Sequence, residues 1–146
     1  MGYEGGHRRA MANSVIFAKR GAPFVERWLA RYDGFDPSIW DHHSVILPAA
    51  LAREHPDEIC RLSPAAFFWP LWTDSHVAWM HAPLDEDESA RVAAAIHRNG
   101  GALYEEQVIY HAQNHAAARF MKHLTVDDIR TKNTRFNMLV RRYVNM

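Results

Sequence analysis

A single cysteine, Cys60, is present in the 146 residues, so the chain forms no internal disulfide and holds no Cys-based zinc cluster. No apolar run approaches the roughly 18 residues that a membrane span needs. Neither sign of charge is in excess, with 17 Lys and Arg against 17 Asp and Glu. No global field therefore recruits nucleic acid or an anionic membrane. Internal repeats, low-complexity tracts and linkers are missing as well, which points to one domain spanning residues 1–146. The opening MGYEGGHRRAMANS lacks the apolar centre of a secretion signal, and the chain as it stands is expected to be soluble.

What the chain has is core-building material and histidine. Five tryptophans and seven phenylalanines suffice for a packed interior, and ten histidines would shift the charge balance to positive on mild acidification. Residues 12–18, ANSVIFA, have a continuous apolar centre that predicts a short buried strand. Pro23 suits a first helical turn, and Phe24, Trp28 and Tyr32 recur every four residues beside Val25 and Leu29, predicting an amphipathic helix with an aromatic core stripe.

Asp36-Pro37 repeats the start signal. The following SIWDHHSVILPAALAREH predicts a second helix, either kinked at Pro48 or begun afresh near Leu47. A short strand is expected over 58–62, then an aromatic cluster in AAFFWPLW. Thr73-Asp74 predicts a helix through Val77 and Met80. Residues 85–98 predict a solvated amphipathic helix with acids at its N-terminal end, stopped by Gly100-Gly101. Residues 107–110 read as a strand delivering His111 to a helical run, AAARFMKHL. Thr125 and Thr134 then cap two further helices, the last carrying Phe136, Leu139, Val140 and Tyr143 on one face. The pattern is α/β, helix-rich in its second half.

Several of these segments also resemble a known family. GYEG followed by ANSVIFAKRGAPFVERWLARY, then SIWDHHSVILPAALAREHPDEI, FFWPLW and HLTVDDIRTKNTRFN are similar, in the same order, to the C-terminal half of family 32-type glycosyltransferases with a DxD sugar-binding region. That group includes α-1,6-mannosyltransferase-like and capsular-polysaccharide-type proteins. The resemblance runs from about residue 2 to 145. It implies the helix-rich C-terminal portion of a GT-A nucleotide-diphospho-sugar transferase fold, a nucleotide-sugar donor, a glycan acceptor and Mn²⁺. The upstream half with the nucleotide-binding strands and the DxD is expected to be absent here, so the isolated chain is expected not to turn over. Its partner would be that half or another subunit. Full-length fungal members are usually Golgi membrane proteins, and membrane attachment is expected only through an anchor outside this stretch.

The resemblance assigns three residues. His111 matches a late histidine of the family and would contact the metal or the donor diphosphate, although Ala112 and Gln113 follow it where the family commonly shows His-x-Trp. Glu4 and Asn13 match polar positions near the acceptor side of the cleft, Glu4 serving as a base only in an inverting reaction. The expectation joining them is spatial: the strand leading into His111 lies beside the strand after Asn13, and both residues face one crevice.

Other candidates have plainer readings. Asp85-Glu86-Asp87 mimics a DxD but reads as a helix N-terminus. His111 and His115 share a helical spacing without the Glu of a zinc hydrolase. His42 and His43 are adjacent and point in different directions, so at most one is expected to face the same site as Trp40 or Ser44. Trp40 reads first as a core tryptophan and second as a sugar platform, and Cys60 reads as core. A rival to the enzyme is a non-catalytic interaction domain of the same ancestry with an exposed apolar sheet edge.

Overall fold

The computed structural model of the chain describes residues 1–5 and 10–144. It is helix-rich and broadly α/β, with one small antiparallel sheet among the described residues. Two compact units emerge, Met1–Trp69 and Pro70–Met146, within the range read from sequence as one domain. No helix among the described residues is long and apolar enough to cross a membrane.

The first unit is built on a hairpin of two very short strands, β1 (Tyr3–Glu4) and β2 (Ala10–Met11), with Tyr3 opposite Met11 and Glu4 opposite Ala10. The Tyr3 N–H donates to the Leu62 carbonyl at 3.0 Å, and Gly2 forms an isolated parallel bridge with Leu62. Gly2 lies so close to the Phe67 ring that an added Cβ would stand 2.7 Å from it. Helix α1 (Pro23–Leu29) starts on its proline as expected and buries Phe24 and Trp28. Helix α2 (Leu47–Glu54) buries Ala49, Leu51 and Ala52 against them, with Met1 and Met11 in the same cluster. The Arg27 guanidinium ties α1 to the turn at Pro56–Glu58 through two bonds to the Glu58 carboxylate, 3.2 and 2.8 Å long. The short α3 (Pro64–Phe67) completes the unit and packs Phe67 and Phe68 with Ala12.

The regular elements of the second unit are helices, with turns and irregular chain over 99–113. Helices α4 (Asp74–His81), α5 (Glu86–Arg98), α6 (Asn114–Met121), α7 (Val126–Thr131) and α8 (Arg135–Val144) follow the sequence signals closely. Helix α8 packs on α4, α5 and α7. Its Phe136 and Leu139 meet Met80 and Leu103 in the core, with Tyr110, Met121 and Val140 around them. The Asp85 side chain accepts the Glu88 N–H at 2.7 Å at the start of α5, and the acids that mimic a DxD form that helix N-terminus as expected. At the far end Gly101 has φ +108, a left-handed conformation that favours glycine, and the Arg142 guanidinium lies over it.

Three expected strands do not form. Residues 12–18 run as turn and irregular chain, with Ile16 43% and Phe17 70% exposed. Residues 58–62 make only the single bridge to Gly2. Over 107–110 local bonds take up part of the backbone: the Gln107 side-chain oxygen accepts the Leu103 N–H at 2.8 Å, and the Gln107 N–H donates to the Tyr104 carbonyl at 3.1 Å. An apolar run becomes a strand only where a neighbouring strand offers a ladder, and local side-chain bonds compete with that ladder.

Candidate functional site

The most developed recess in the first unit lies between α1 and α2, where the chain abandons regular helix. Residues 31–40 are all exposed, and only a single tight turn at Tyr32–Gly34 is helical. Asp36 does not start a helix. Its Oδ1 accepts both the N–H and the hydroxyl of Ser38, at 2.8 and 2.7 Å, and so closes a local turn. The Ser38 hydroxyl and amide hold the Asp36 carboxyl below the ordinary carboxylate range, and the His43 imidazole adds to the effect.

The chain then enters a π-helical turn, His42–Ile46, before α2 begins at Leu47. The Ile46 N–H donates to the Asp41 carbonyl five residues back at 3.1 Å. Pro48 supplies the reason. It has no N–H for the Ser44 carbonyl, and its ring needs room at that carbonyl, so the turn widens. Such turns recur at functional sites.

The widened turn seats His43. Its carbonyl accepts the Trp28 indole N–H at 2.8 Å and the Tyr32 hydroxyl at 3.5 Å. Its ring centroid stands 5.2 Å from those of Tyr32 and Phe35, which themselves stack at 6.0 Å. His43 is only 6% exposed, and its Nδ1 is buried with no hydrogen-bond partner among the described residues. Beside it opens a cleft of about 320 Å³ lined by Arg31, Asp36, Ile39, His42, His43 and Leu47. Trp40, within the same loop, is 84% exposed, and Phe35 is 54% exposed. The core reading of Trp40 is therefore wrong: its neighbours turn into the cleft while its own ring stays in solvent. His42 is exposed and His43 buried, but their rings meet edge-on with centroids 4.8 Å apart, and both residues border the cleft.

The three residues assigned by resemblance occupy less developed surroundings. Glu4 is half-buried in β1 opposite Ala10, and Asn13 sits exposed in a turn after β2, with no strand following it. His111, in the second unit, is half-buried in irregular chain ahead of α6. Its Nδ1 accepts the Gln113 N–H at 3.2 Å. Gln113 has φ 51, a left-handed conformation held by no other non-glycine among the described residues. Neighbouring Tyr110 packs against Phe136, and its burial pushes the phenol pKa up to about 12. The expected pairing of a strand before His111 with a strand after Asn13 does not exist, because neither strand forms. Cys60, read as core, is exposed.

No three His, Cys, Asp or Glu side chains converge as a metal-binding set among the described residues. The residues present therefore do not fit a Mn²⁺ shell, and His111 offers at best one of its ligands. A second cleft of about 190 Å³, in the second unit, is lined in part by Trp79, Glu88 and Arg135. Arg135 lies 4.3 Å over the Trp79 ring and donates to the Trp79 carbonyl and to Glu88, so its charge is already engaged.

Sequence reasoning missed the cleft as a unit. Its signals were present separately, as Pro48 inside a helical pattern, paired histidines, and aromatics at 28, 32, 35 and 40. Nothing in their spacing showed that they converge.

A helix-rich protein with a partly polar, histidine-lined cleft is the class that these features define. The chain is 34% identical over 134 residues to a protein named glucan organizing enzyme 1 from Cryptococcus neoformans var. grubii serotype A, a match that covers 92% of this chain and 33% of the relative. It thus spans about a third of the length of that curated relative. No family model matches the chain, and no solved structure matches it.

Proposed function

We propose that the chain is part of a glycosyltransferase of the family 32 type, with a GT-A fold in the whole enzyme, and that it supplies the glycan-facing side. The reaction breaks the bond between the sugar's anomeric carbon and the donor phosphate, forms a new bond to an acceptor hydroxyl, and releases that hydroxyl's proton. The observation that carries the reading is the 34% match, along 92% of this chain, to a relative named for glucan organization. The ordered resemblance of five segments to the family supports it independently.

In this reading Asn13 and Glu4 line the acceptor side, and the donor nucleotide is held chiefly by residues outside the chain. Mn²⁺, with His111 as a single contributing ligand, would likewise be held mainly from outside. A Golgi site of action follows for fungal relatives.

The test is a panel of UDP- and GDP-hexoses with Mn²⁺, read by nucleotide release and titration calorimetry. It is run on the chain alone, on glucan organizing enzyme 1, and on a chimera in which the chain replaces the matched third of that relative. Sugar-dependent nucleotide release by the relative and the chimera, but not by the chain alone, is the expected result. If neither binds nor cleaves any nucleotide sugar, the transferase reading is wrong.

A second reading, a non-catalytic interaction domain of the same ancestry, is favoured by the exposure of Ile16 and Phe17. It expects concentration-dependent self-association on size exclusion, which Phe17→Ser would reduce.

A further inference from the structure

We propose that His81 is an acid-sensitive latch: neutral, it holds helix α6 against α4 and α8; protonated, it lets α6 go. The device is independent of the transferase reading and of the cleft in the first unit. It rests on how one imidazole is seated and on how lightly α6 is otherwise held.

His81 is the last residue of α4, and its ring meets two phenylalanines from other helices. Phe120 of α6 stacks on it 5° from parallel with centroids 4.8 Å apart, and Phe136 of α8 stands at 4.9 Å. The Nε2 is buried with no hydrogen-bond partner among the described residues. A neutral imidazole fits such a seat as a flat, largely apolar ring. A proton turns both nitrogens into donors and leaves a charge against two phenyl rings with no acceptor at the Nε2. Burial lowers the proton affinity of this group, and no charged neighbour restores it.

The charged groups on the packed elements are already engaged. Asp74 of α4 pairs with Arg119 of α6 at 3.3 Å, and the Arg119 guanidinium also lies 4.9 Å from the Phe120 ring centroid. A protonated His81 would bring a second cation to that ring and repel the first. On α8, Arg135 is held by Glu88 and the Trp79 carbonyl, Arg141 by the carbonyls of Ile129 and Lys132, and Arg142 by the Gly100 carbonyl. The Tyr110 phenol, whose ring packs on Phe136 at 6.0 Å, is held neutral by burial. Of the other histidines on these helices, His76 accepts the Leu71 N–H through Nδ1, and His115 is exposed.

Helix α6 is the element that such a push would move. It buries only Ala117 fully, and the chain enters it through Gln113 at φ 51 with no side-chain cap. A non-glycine residue held left-handed costs free energy that release returns. The ion pair of Arg119 with Asp74 is exposed and therefore a weak tether. By contrast, α7 and α8 are tied together through Asn137 and Arg141. Acid should therefore open α6 before the rest of the second unit.

The experiment is hydrogen exchange by mass spectrometry on the full chain at about pH 7.5 and about pH 5, on either side of the ordinary imidazole range. Rates are corrected for the intrinsic pH dependence of amide exchange. Amides of 114–121 should exchange about fivefold faster or more at the lower pH, and those of 126–144 should change less. His81→Phe, which keeps a flat ring and removes the titration, should abolish the response of 114–121. His81→Leu repeats the test with a smaller side chain, and circular dichroism checks that each variant is folded. His111→Asn is run beside them, because a proton on the His111 Nδ1 would break its bond to the Gln113 N–H. A response that persists in both His81 variants overturns the proposal, as does one that disappears in His111→Asn while surviving in His81→Phe. Equal acceleration over 114–121 and 126–144, or none at all, overturns it too.

Discussion

Residues 31–46 and 122–144 both join helices through short turns, but they finish their polar bonds very differently. In the later segment the Thr125 side chain accepts the Asp128 N–H while Asp128 reaches back to the Thr125 N–H, a closed capping box. Asn137, 2% exposed, donates to the carbonyls of Asp128 and Lys132, each at 3.1 Å. Arg141 takes the carbonyls of Ile129 and Lys132 at 2.8 and 3.0 Å. The end of α7 is thereby sealed by α8. In the earlier segment a buried imidazole nitrogen has no described partner and a tryptophan stands in solvent. Each segment holds one buried polar atom without a described partner, the His43 Nδ1 and the Asn137 Oδ1; they differ in that residues 31–40 are all exposed while the later junction is tied across by side chains. That difference separates a cross-tied junction from an exposed loop held at one end.

The largest expected effect tests whether the earlier segment is nevertheless firmly anchored. Trp28→Ala removes a buried ring and the donor to the His43 carbonyl, and should cost about 3–5 kcal/mol by chemical denaturation. Trp40→Ala, by contrast, should leave stability nearly unchanged. Equal losses for the two would erase the division between a buried anchor and an exposed ring.

Next in size, Asn137→Leu keeps the side chain buried but leaves two carbonyls at the end of α7 without their donor, for a loss of about 1–3 kcal/mol. Amide exchange should speed up first in α7. Thr125→Ala, which opens the capping box, should cost about 1 kcal/mol. A neutral outcome for both would mean that apolar packing alone carries the later segment.

The smallest effects are those of pH, and they fall in the second unit. His81 stacks on Phe120 at 4.8 Å, and burial lowers its pKa below the ordinary 6.5. The unfolded chain therefore binds the proton more readily, and stability present above pH 6.5 is lost as pH falls below it. Asp128, held by Lys132 and Thr125, has its pKa lowered from 3.8 to about 2, so a second loss follows between those values. Tyr110 acts at the other extreme: its stabilisation is whole below pH 10 and fades as pH rises toward 12. Thermal melts across pH 3–8 should show the first step flattened in His81→Phe. An unchanged profile in that variant would assign the acid sensitivity elsewhere.

How much of this was legible beforehand follows from range. The helices α5, α7 and α8 were readable because Asp85, Thr125 and Thr134 act on amides three residues away, as with the Asn137 N–H that donates to the Thr134 hydroxyl at 3.0 Å, whereas Thr73 makes no such bond at the start of α4. Pro23 and Pro56 likewise act on their own turns. The strands at 12–18 and 107–110 were misread because an apolar run states a need for burial and not the means. Tyr110 met that need against Phe136 without any ladder. Of the candidate site, the resemblance supplied Glu4, Asn13 and His111, while the cleft around His43 went unseen.

The sequence by itself determined where helices start and stop and which faces are apolar, because those are local matters of capping, proline geometry and period. Only the tertiary structure decided that Trp40 stays outside, that His43 goes in beneath Tyr32 and Phe35, and that a recess opens between α1 and α2. Those outcomes depend on a competition for one interior among residues distant in the chain, in which Trp28 is buried and bonded to the His43 carbonyl while Trp40 is left in solvent.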